Sequence, residues 1–439
     1  MVMDVASVKY GEHDVGAVSF DTATGIGSFE FAPRFIRTGI ELSPIKMPLS
    51  RSIYSFPEAD PAVFHGLPGM IADSLPDAFG NTVLDAWMAS QGKSITDITP
   101  TERLKYTGRR GMGALTFHPA TQRRGLNTSQ PVEIESLVSV AQEILNKRTQ
   151  FKVRLGEQGQ EDAEAMLALL SVGVSAGGAR PKAVLAFNDD FTQVRSGQTD
   201  VPDGFTHFIM KFDGVSEHRR DKEAFGDPMG YGAMEYVYHL MATACGIHMM
   251  PCHLLNEGDR RHFITQRFDR VGNAKRHVQT LNGLAHISYK QAGSYSYAEL
   301  FATARELGLG PDDAMQLFKR MVFNIVARNH DDHSKNFAFM LDDQHNWRLA
   351  PAYDLAYSYK PENRWVGSHW MKLNGKRDDF LREDFYSLEK LSPLFSKRTI
   401  DRIVDETTEH VSQWNSLAAE HGVPSSLRKA VGEHLRLMI

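Results

Sequence analysis

Apolar residues gather from Val15 to Phe20 and again from Gly27 to Phe31, between Gly and Pro punctuation, and both segments read as short strands. Val83 to Gln91 and Glu133 to Lys147 repeat apolar residues at helical spacing, as does the Ala- and Leu-rich stretch Asp162 to Leu170. Phe205 to Phe212 returns to alternation, with Phe208, Met210 and Phe212 on one face and His207, Ile209 and Lys211 on the other. Met234, Val237, Tyr238, Met241 and Cys245 then form a helical stripe with Glu235 at its margin, and Phe263 to Arg270 reads as a further strand. Beyond residue 300 the pattern is mainly helical. Met315, Phe318, Met321, Val322 and Ile325 make a buried face that Asp312 can cap, and Ile400, Ile403, Val404, Val411, Trp414 and Leu417 make another, closed by Gly422 and Pro424. One hairpin interrupts the helices: apolar Phe337 to Leu341, turn-forming Asp342 to Asn346, and Trp347 to Ala352 running back. The order predicts an α+β protein whose first 150 residues form a separate mixed unit.

Composition changes this picture little. The 439 residues suffice for two or three domains, and 42% hydrophobic with 23% charged residues is ordinary globular composition. A net charge of −5, with both signs spread along the chain, gives no reason to expect nucleic acid as a direct ligand. The first residues lack a basic segment followed by an apolar core, and no apolar run is long enough to span a membrane, so a cytoplasmic location is expected. Cys245 and Cys252 are too few for a disulfide framework, and Cys245 reads as core.

The chemistry concentrates between Asn329 and Asp354. Asp331 and Asn336 stand five positions apart in a loop, the interval a kinase catalytic loop places between its base and a metal-binding Asn. Folding of the hairpin brings its two ends together, so Asp354 is expected beside Asn336, a set of hard oxygen donors suited to Mg and phosphate. Asp331 is then free to orient a hydroxyl nucleophile. Two other readings stand beside this one. Asp- and Asn-rich loops are commonly turns, and the cluster His330-Asp331-Asp332-His333 could instead hold two metals in a phosphohydrolase, although no other histidines recur at ligand spacing. Upstream, Gly173, Gly177 and Gly178 allow a tight turn whose amides can cradle anionic oxygens, with Ser175 and Lys182 beside it; a plain turn is the competing reading. Gly108 to Gly113 lacks the Lys-Ser or Lys-Thr of a phosphate loop and reads as structural. Lys211 in mid-strand is either a solvated outer-face lysine or a phosphate ligand, and Glu235 on the following helix could pair with it as kinases pair such groups.

Four ordered motifs, Ser175-Ala-Gly-Gly-Ala-Arg-Pro-Lys182, Gln266-Arg-Phe-Asp-Arg270, Asp331-Asp-His-Ser-Lys-Asn336 and Pro351-Ala-Tyr-Asp354, resemble the HipA-type serine/threonine kinases, toxins of bacterial type II toxin-antitoxin pairs. The N-terminal phrases Met47-Pro-Leu, Gly66-Leu-Pro-Gly, Ala72-Asp-Ser-Leu-Pro-Asp77 and Gly111-Met-Gly-Ala-Leu115 extend the resemblance over nearly the whole chain. It implies a bilobal kinase-like fold with an extra N-terminal subdomain over 1–150, a nucleotide-binding small lobe over 151–272 and a mainly helical catalytic lobe over 273–439. It further implies ATP and Mg, with Asp331 as base, Asn336 and Asp354 on the metal, and Lys211 on the phosphates. Gln266 and Phe268 would offer hinge backbone to adenine, and His333 would be a further nucleotide contact. In that family a serine at the position of Ser175 is autophosphorylated, which moves the glycine-rich loop out of the ATP site; a phosphoserine dianion there would repel nucleotide phosphates. Members phosphorylate aminoacyl-tRNA synthetases and are held by a small DNA-binding antitoxin of HipB type, so DNA would be met only through that partner. The usual kinase triplets are altered here to Asn329-His330-Asp331 and Tyr353-Asp354-Leu355, as in HipA proteins. A non-catalytic nucleotide-binding corepressor or scaffold is the remaining alternative.

Overall fold

The computed structural model describes residues 4–90, 92–94, 98–121, 126–147, 180–215 and 228–439. The chain divides into two compact units, residues 1–229 with 253–279 and residues 230–252 with 280–439. The expected helix at Asp162 to Leu170, and the segment from Ser171 to Ala179 that contains Ser175, Gly177 and Gly178, lie outside the described residues.

The first unit contains two antiparallel sheets. Strands β1 (Asp4–Tyr10), β2 (His13–Asp21), β3 (Ile26–Phe31) and β4 (Leu115–His118) are ordered β3-β2-β1-β4. Alternation buries Val18 and Phe20 along β2, and a bulge opposite Val8 and Lys9 of β1 makes Val15 the extra residue and brings it to the buried side as well. The second sheet is ordered β6-β5-β7-β9-β8, from β5 (Lys182–Asn188), β6 (Val194–Ser196), β7 (Phe205–Lys211), β8 (Cys252–Glu257) and β9 (Arg260–Gln266). Ala183, Leu185, Phe187, Phe208, Met210, Phe212 and Ile264 carry its packed face onto the helices Ala78–Ser90 and Ile134–Lys147, which supply Phe79, Val83, Leu84, Leu137 and Val138.

A buried polar clasp holds the N-terminal part to the end of β9. Arg267 donates to both oxygens of Asp269 (2.9 and 2.7 Å), and Asp269 accepts from the backbone of Gly113 at 2.8 Å. Lys275 donates to the carbonyls of Arg109 and Gly111, and Arg270 to those of Gln198 and Asn273. Gly113 has φ +68°, and a Cβ there would stand 3.3 Å from the Val278 backbone nitrogen. The glycines between 108 and 113 are thus structural, as expected from the missing phosphate-loop residues.

The second unit is mainly helical. Helix Tyr231–Ala244 buries Met234, Val237, Tyr238 and Met241, and Pro311–Val326 buries Phe318, Met321, Val322 and Ile325. Lys397–Ser412 and Trp414–Glu420 contribute Ile400, Ile403, Val404, Val411 and Trp414. Asp312 does not cap its helix. Gly310 is the N-cap and Pro311 takes the first position, so Asp312 and Asp313 act through the charge they place in the first turn. Burial pushes the Cys245 thiol up to about 12, consistent with a core residue. Among the described residues no helix is long and apolar enough to cross a membrane.

Burial alone would raise the Asp269 carboxyl, but the guanidinium of Arg267, with Arg270 and the Gly113 amide, outweighs it and holds it down to about 2. Its stabilising contribution is therefore present above the ordinary carboxyl pKa and lost as pH falls through the folded value. Asp269→Asn should cost about 3–5 kcal/mol at neutral pH by leaving Arg267 buried without its partner. Urea unfolding should show that the gap to wild type narrows between about pH 4 and pH 2.

Candidate active site

Asp331 sits where the helix Pro311–Val326 ends and the chain turns sharply. Arg328 has φ +57°, and the loop runs through Asp331 to a single 3-10 turn, Ser334–Asn336. The hairpin forms as expected, from Ala338–Leu341 paired with Trp347–Leu349 in the register Phe339↔Leu349, Met340↔Arg348, Leu341↔Trp347. Asp342 closes the turn by accepting from the backbone of Gln344 and Asn346, each at 2.9 Å. At the open end Tyr353 donates to the Lys335 carbonyl at 2.6 Å, which ties the residue before Asp354 to the residue before Asn336.

Adjacent in sequence, Asp331 and Asp332 have opposite environments. Asp332 is fully buried and accepts from Tyr297 Oη (2.6 Å), His369 Nδ1 (3.0 Å) and the backbone nitrogens of Trp370 (2.6 Å) and Met371 (3.4 Å). The Asp331 side chain is 51% exposed, with His333 Nε2 3.5 Å from its carboxylate. Its backbone is held on both sides: its N–H donates to Ser358 Oγ at 2.9 Å, and its carbonyl accepts from Asn336 Nδ2 at 2.7 Å.

These contacts belong to one chain of hydrogen bonds. Tyr297 accepts from Asn324 Nδ2 (3.3 Å), and Asn324 Oδ1 accepts from Asn329 Nδ2 (2.9 Å). Asn329 Nδ2 also reaches the Asp354 carbonyl (3.4 Å), and Asn329 Oδ1 accepts from Ser358 Oγ (3.1 Å), the hydroxyl that receives the Asp331 amide. Burial, then the Asp332 carboxylate, holds the Tyr297 phenol well above its ordinary pKa, so it remains a donor. Asp354 itself adopts a left-handed backbone, φ +53°, uncommon for a residue with a side chain.

The two-metal alternative loses its ligands to this network. Asp332 has its oxygens committed. His330 is buried with its ring centroid 4.0 Å from that of His369, and burial, His369 and Arg328 drive its protonation far below the usual range. Among the described residues no three His, Cys, Asp or Glu side chains gather to hold a metal. Asn336 is differently placed. Its nitrogen is engaged with the loop carbonyl, while its oxygen accepts no hydrogen bond among the described residues, so that hard donor is available.

In the first unit Lys182 and Lys211 stand directly opposite each other on β5 and β7, at 4% and 7% exposure. The solvated reading of Lys211 therefore fails. Lys182 Nζ has Asp77 Oδ2 at 4.0 Å, and Lys211 Nζ lies 5.8 Å from the Phe263 ring. Two buried like charges across a strand pair are unfavourable unless anions face them. Gln266 and Phe268 are half-buried and alternate with Arg267 and Asp269, which turn inward. Glu235 lies in the second unit, on Tyr231–Ala244, and is buried rather than marginal. Sequence reasoning missed Tyr297, Asn324, Ser358 and His369. Only Asn324 left a trace, as a polar residue within the apolar run from Met321 to Val326.

Two family models match: the HipA N-terminal domain over residues 6–118 and the HipA-like C-terminal domain over residues 174–414. A Sinorhizobium fredii protein, Y4mE, provisionally named a kinase, is 29% identical over 125 residues, 26% of this chain; the chain spans 30% of that relative's length. The HipA of Shewanella oneidensis MR-1, solved with HipB and its operator DNA, superposes with a TM-score of 0.65 at 17% identity, covering 98% of this chain and 94% of its own, a likeness of fold.

Asp332→Asn should destabilise the protein by about 1–3 kcal/mol, because a donor replaces an acceptor among buried donors. Asp331→Asn, at a side chain that is 51% exposed, should leave stability within about 0.5 kcal/mol of wild type. Chemical unfolding of the two variants checks the division of roles.

Proposed function

The chain belongs to the HipA family, and from that membership we propose that it is an ATP-dependent serine/threonine protein kinase acting as the toxin of a toxin-antitoxin module. The observation that carries the reading is the division of labour at Asp331 and Asp332: one carboxylate is spent on fixing the loop, the other is left half exposed on a backbone held at both its N–H and its carbonyl. A general base needs that combination of access and fixed position. Asp331 accepts the proton of the attacking hydroxyl as its oxygen bonds to the γ-phosphorus, the bond to the β,γ-bridging oxygen breaks, and ADP leaves. His333, at 3.5 Å, is placed to sense the charge of that carboxylate.

Asn336 and Asp354 are the proposed magnesium ligands; the free amide oxygen of the first fits the role, and the ion when bound would offset charge on the phosphate oxygens. Lys211 and Lys182 are assigned to the ATP phosphates, with Ser175, Gly177 and Gly178 on the glycine-rich turn, Gln266 and Phe268 at adenine, and Glu235 as the ion-pair partner of Lys211. What supports the phosphate assignment is placement: β5 and β7 set the two lysines opposite each other in register. The same reading makes the fold bilobal and kinase-like, divided at about residues 150 and 272. It gives the chain a protein substrate of the aminoacyl-tRNA synthetase class, autophosphorylation at Ser175, and a HipB-type antitoxin that brings operator DNA, as in the Shewanella complex.

Incubation with γ-labelled ATP and magnesium should label Ser175 or a protein partner. Asp331→Ala should lower transfer by at least about 10²-fold while nucleotide binding is largely retained, whereas Asp354→Ala should weaken Mg-ATP binding as well. Normal transfer by the Asp331 variant would overturn the assignment, and no label on any protein would favour the scaffold.

Ser358→Ala removes the acceptor of the Asp331 N–H without touching a proposed ligand. It should lower kcat roughly tenfold, with KM for ATP little changed, and Ser358→Thr should restore most of the loss. Steady-state kinetics on the three proteins reads this directly.

A further inference from the structure

A cavity of about 390 Å³ opens in the first unit between the stretch Asn127–Ser129 and the loop that follows β6. Its chemistry is uneven. Arg109 and Arg195 line it together with Thr199 and the carboxylate of Asp200, and Pro202 is the one apolar side chain in its wall. Arg109 contacts Asp200 at 2.9 Å, and Arg270 approaches the other oxygen at 3.9 Å. Behind them lies the buried pair Arg267 and Asp269. Three guanidiniums, those of Arg109, Arg195 and Arg270, thus stand about the one carboxylate of Asp200, an excess of two positive charges in a chain whose net charge is −5.

Two further observations bear on the site. Burial, with Arg270 and Arg267 beside it, pushes the Lys275 ammonium well below its ordinary pKa. Thr199 is 6% exposed, and its hydroxyl has no hydrogen-bond partner among the described residues. Arg195 is steadied by two bonds to Ser129, through Nε to Oγ (3.2 Å) and Nη2 to the carbonyl (2.9 Å), and Nη1 is not used in either.

We propose that this cavity is a binding site for a small phosphate monoester carried on a polyhydroxylated body. Arg195 and Arg109 would take the phosphate, since a planar guanidinium matches its oxygens and the local excess of charge favours a dianion. The volume exceeds that of a bare phosphate. The remaining wall of hydroxyl, amide and carboxylate groups offers partners to sugar-like hydroxyls and no aromatic face for a base. The site uses none of the residues assigned to ATP, so it stands or falls apart from the kinase reading.

Ribose 5-phosphate, inorganic phosphate and ribose are the probes, titrated calorimetrically into the full chain. Ribose 5-phosphate should bind saturably, at least about tenfold more tightly than inorganic phosphate, with ribose silent. Arg195→Gln should weaken the binding at least tenfold. Thr199→Val, which removes a hydroxyl that makes no described bond and so should fold normally, should weaken it severalfold. The proposal is overturned if ribose 5-phosphate shows no saturation below roughly 10 mM, if Arg195→Gln and Thr199→Val both bind it as wild type does, or if inorganic phosphate binds equally well.

Discussion

A carboxylate can be buried without cost to the fold only when its oxygens are saturated, and Asp332 meets that condition with four donors drawn from two places in the chain, Tyr297 and the stretch from His369 to Met371. Because Tyr297 is one of them, the hub extends through Asn324 and Asn329 to Ser358 and the Asp331 amide. Its members are amide, hydroxyl, phenol and imidazole side chains joined to backbone groups, each bonded to the next. Fully satisfied networks of this kind in a low-dielectric interior rigidify their surroundings, whereas removal of one member strands its neighbours. The orientation of Asp331 therefore follows from a neighbour that never meets solvent.

The first unit applies the same logic to buried cations. At the end of β9, Arg267 and Asp269 neutralise each other, and the backbone carbonyls of residues 109, 111, 198 and 273 absorb the donors of Lys275 and Arg270. At the far end of β5 and β7, Lys182 and Lys211 are buried opposite each other with one carboxylate 4.0 Å from one of them. Both ends of the sheet thus bury cations, and each does so by bringing polar groups from other parts of the chain to them.

Much of this was legible in the sequence. Alternation along β3 and β7, the stripes of the long helices, and the turn chemistry of Asp342 and Asn346 each have a single local cause, and the structure follows them. The spacing of Asp331 and Asn336 also held, as two ends of one short hydrogen-bonded loop. What stayed hidden were partnerships set by tertiary folding. Nothing local to Asp332 distinguishes it from Asp331, and the burial of one with the exposure of the other is decided by Tyr297 and His369, each more than thirty residues away. Similarly, the motif from Gln266 to Arg270 draws attention to a hinge, yet its charged residues face inward to fasten Gly113. Asp312 failed as a cap because Pro311 already fits the first helical position and leaves Gly310 as the boundary.

Two left-handed residues bracket the network, Arg328 at φ +57° and Asp354 at φ +53°. Each backbone of this kind costs roughly 1 kcal/mol or more in a residue with a side chain, so it persists only where its surroundings determine it. Both have such surroundings. Arg328 is held by its bonds to the His434 carbonyl and Asp378, and the Asp354 carbonyl receives Asn329. The strain falls on the two residues that turn the chain into and out of the Asn329 contact, where relaxation would separate the loop carrying Asp331 from the one carrying Asp354. A site that must meet a developing negative charge gains most from groups fixed beforehand, because reorganisation during the reaction would consume the electrostatic advantage. The strained pair and the saturated network thus serve one end: they are reasons, present in the chain without any ligand, for the two loops to be in place when one arrives.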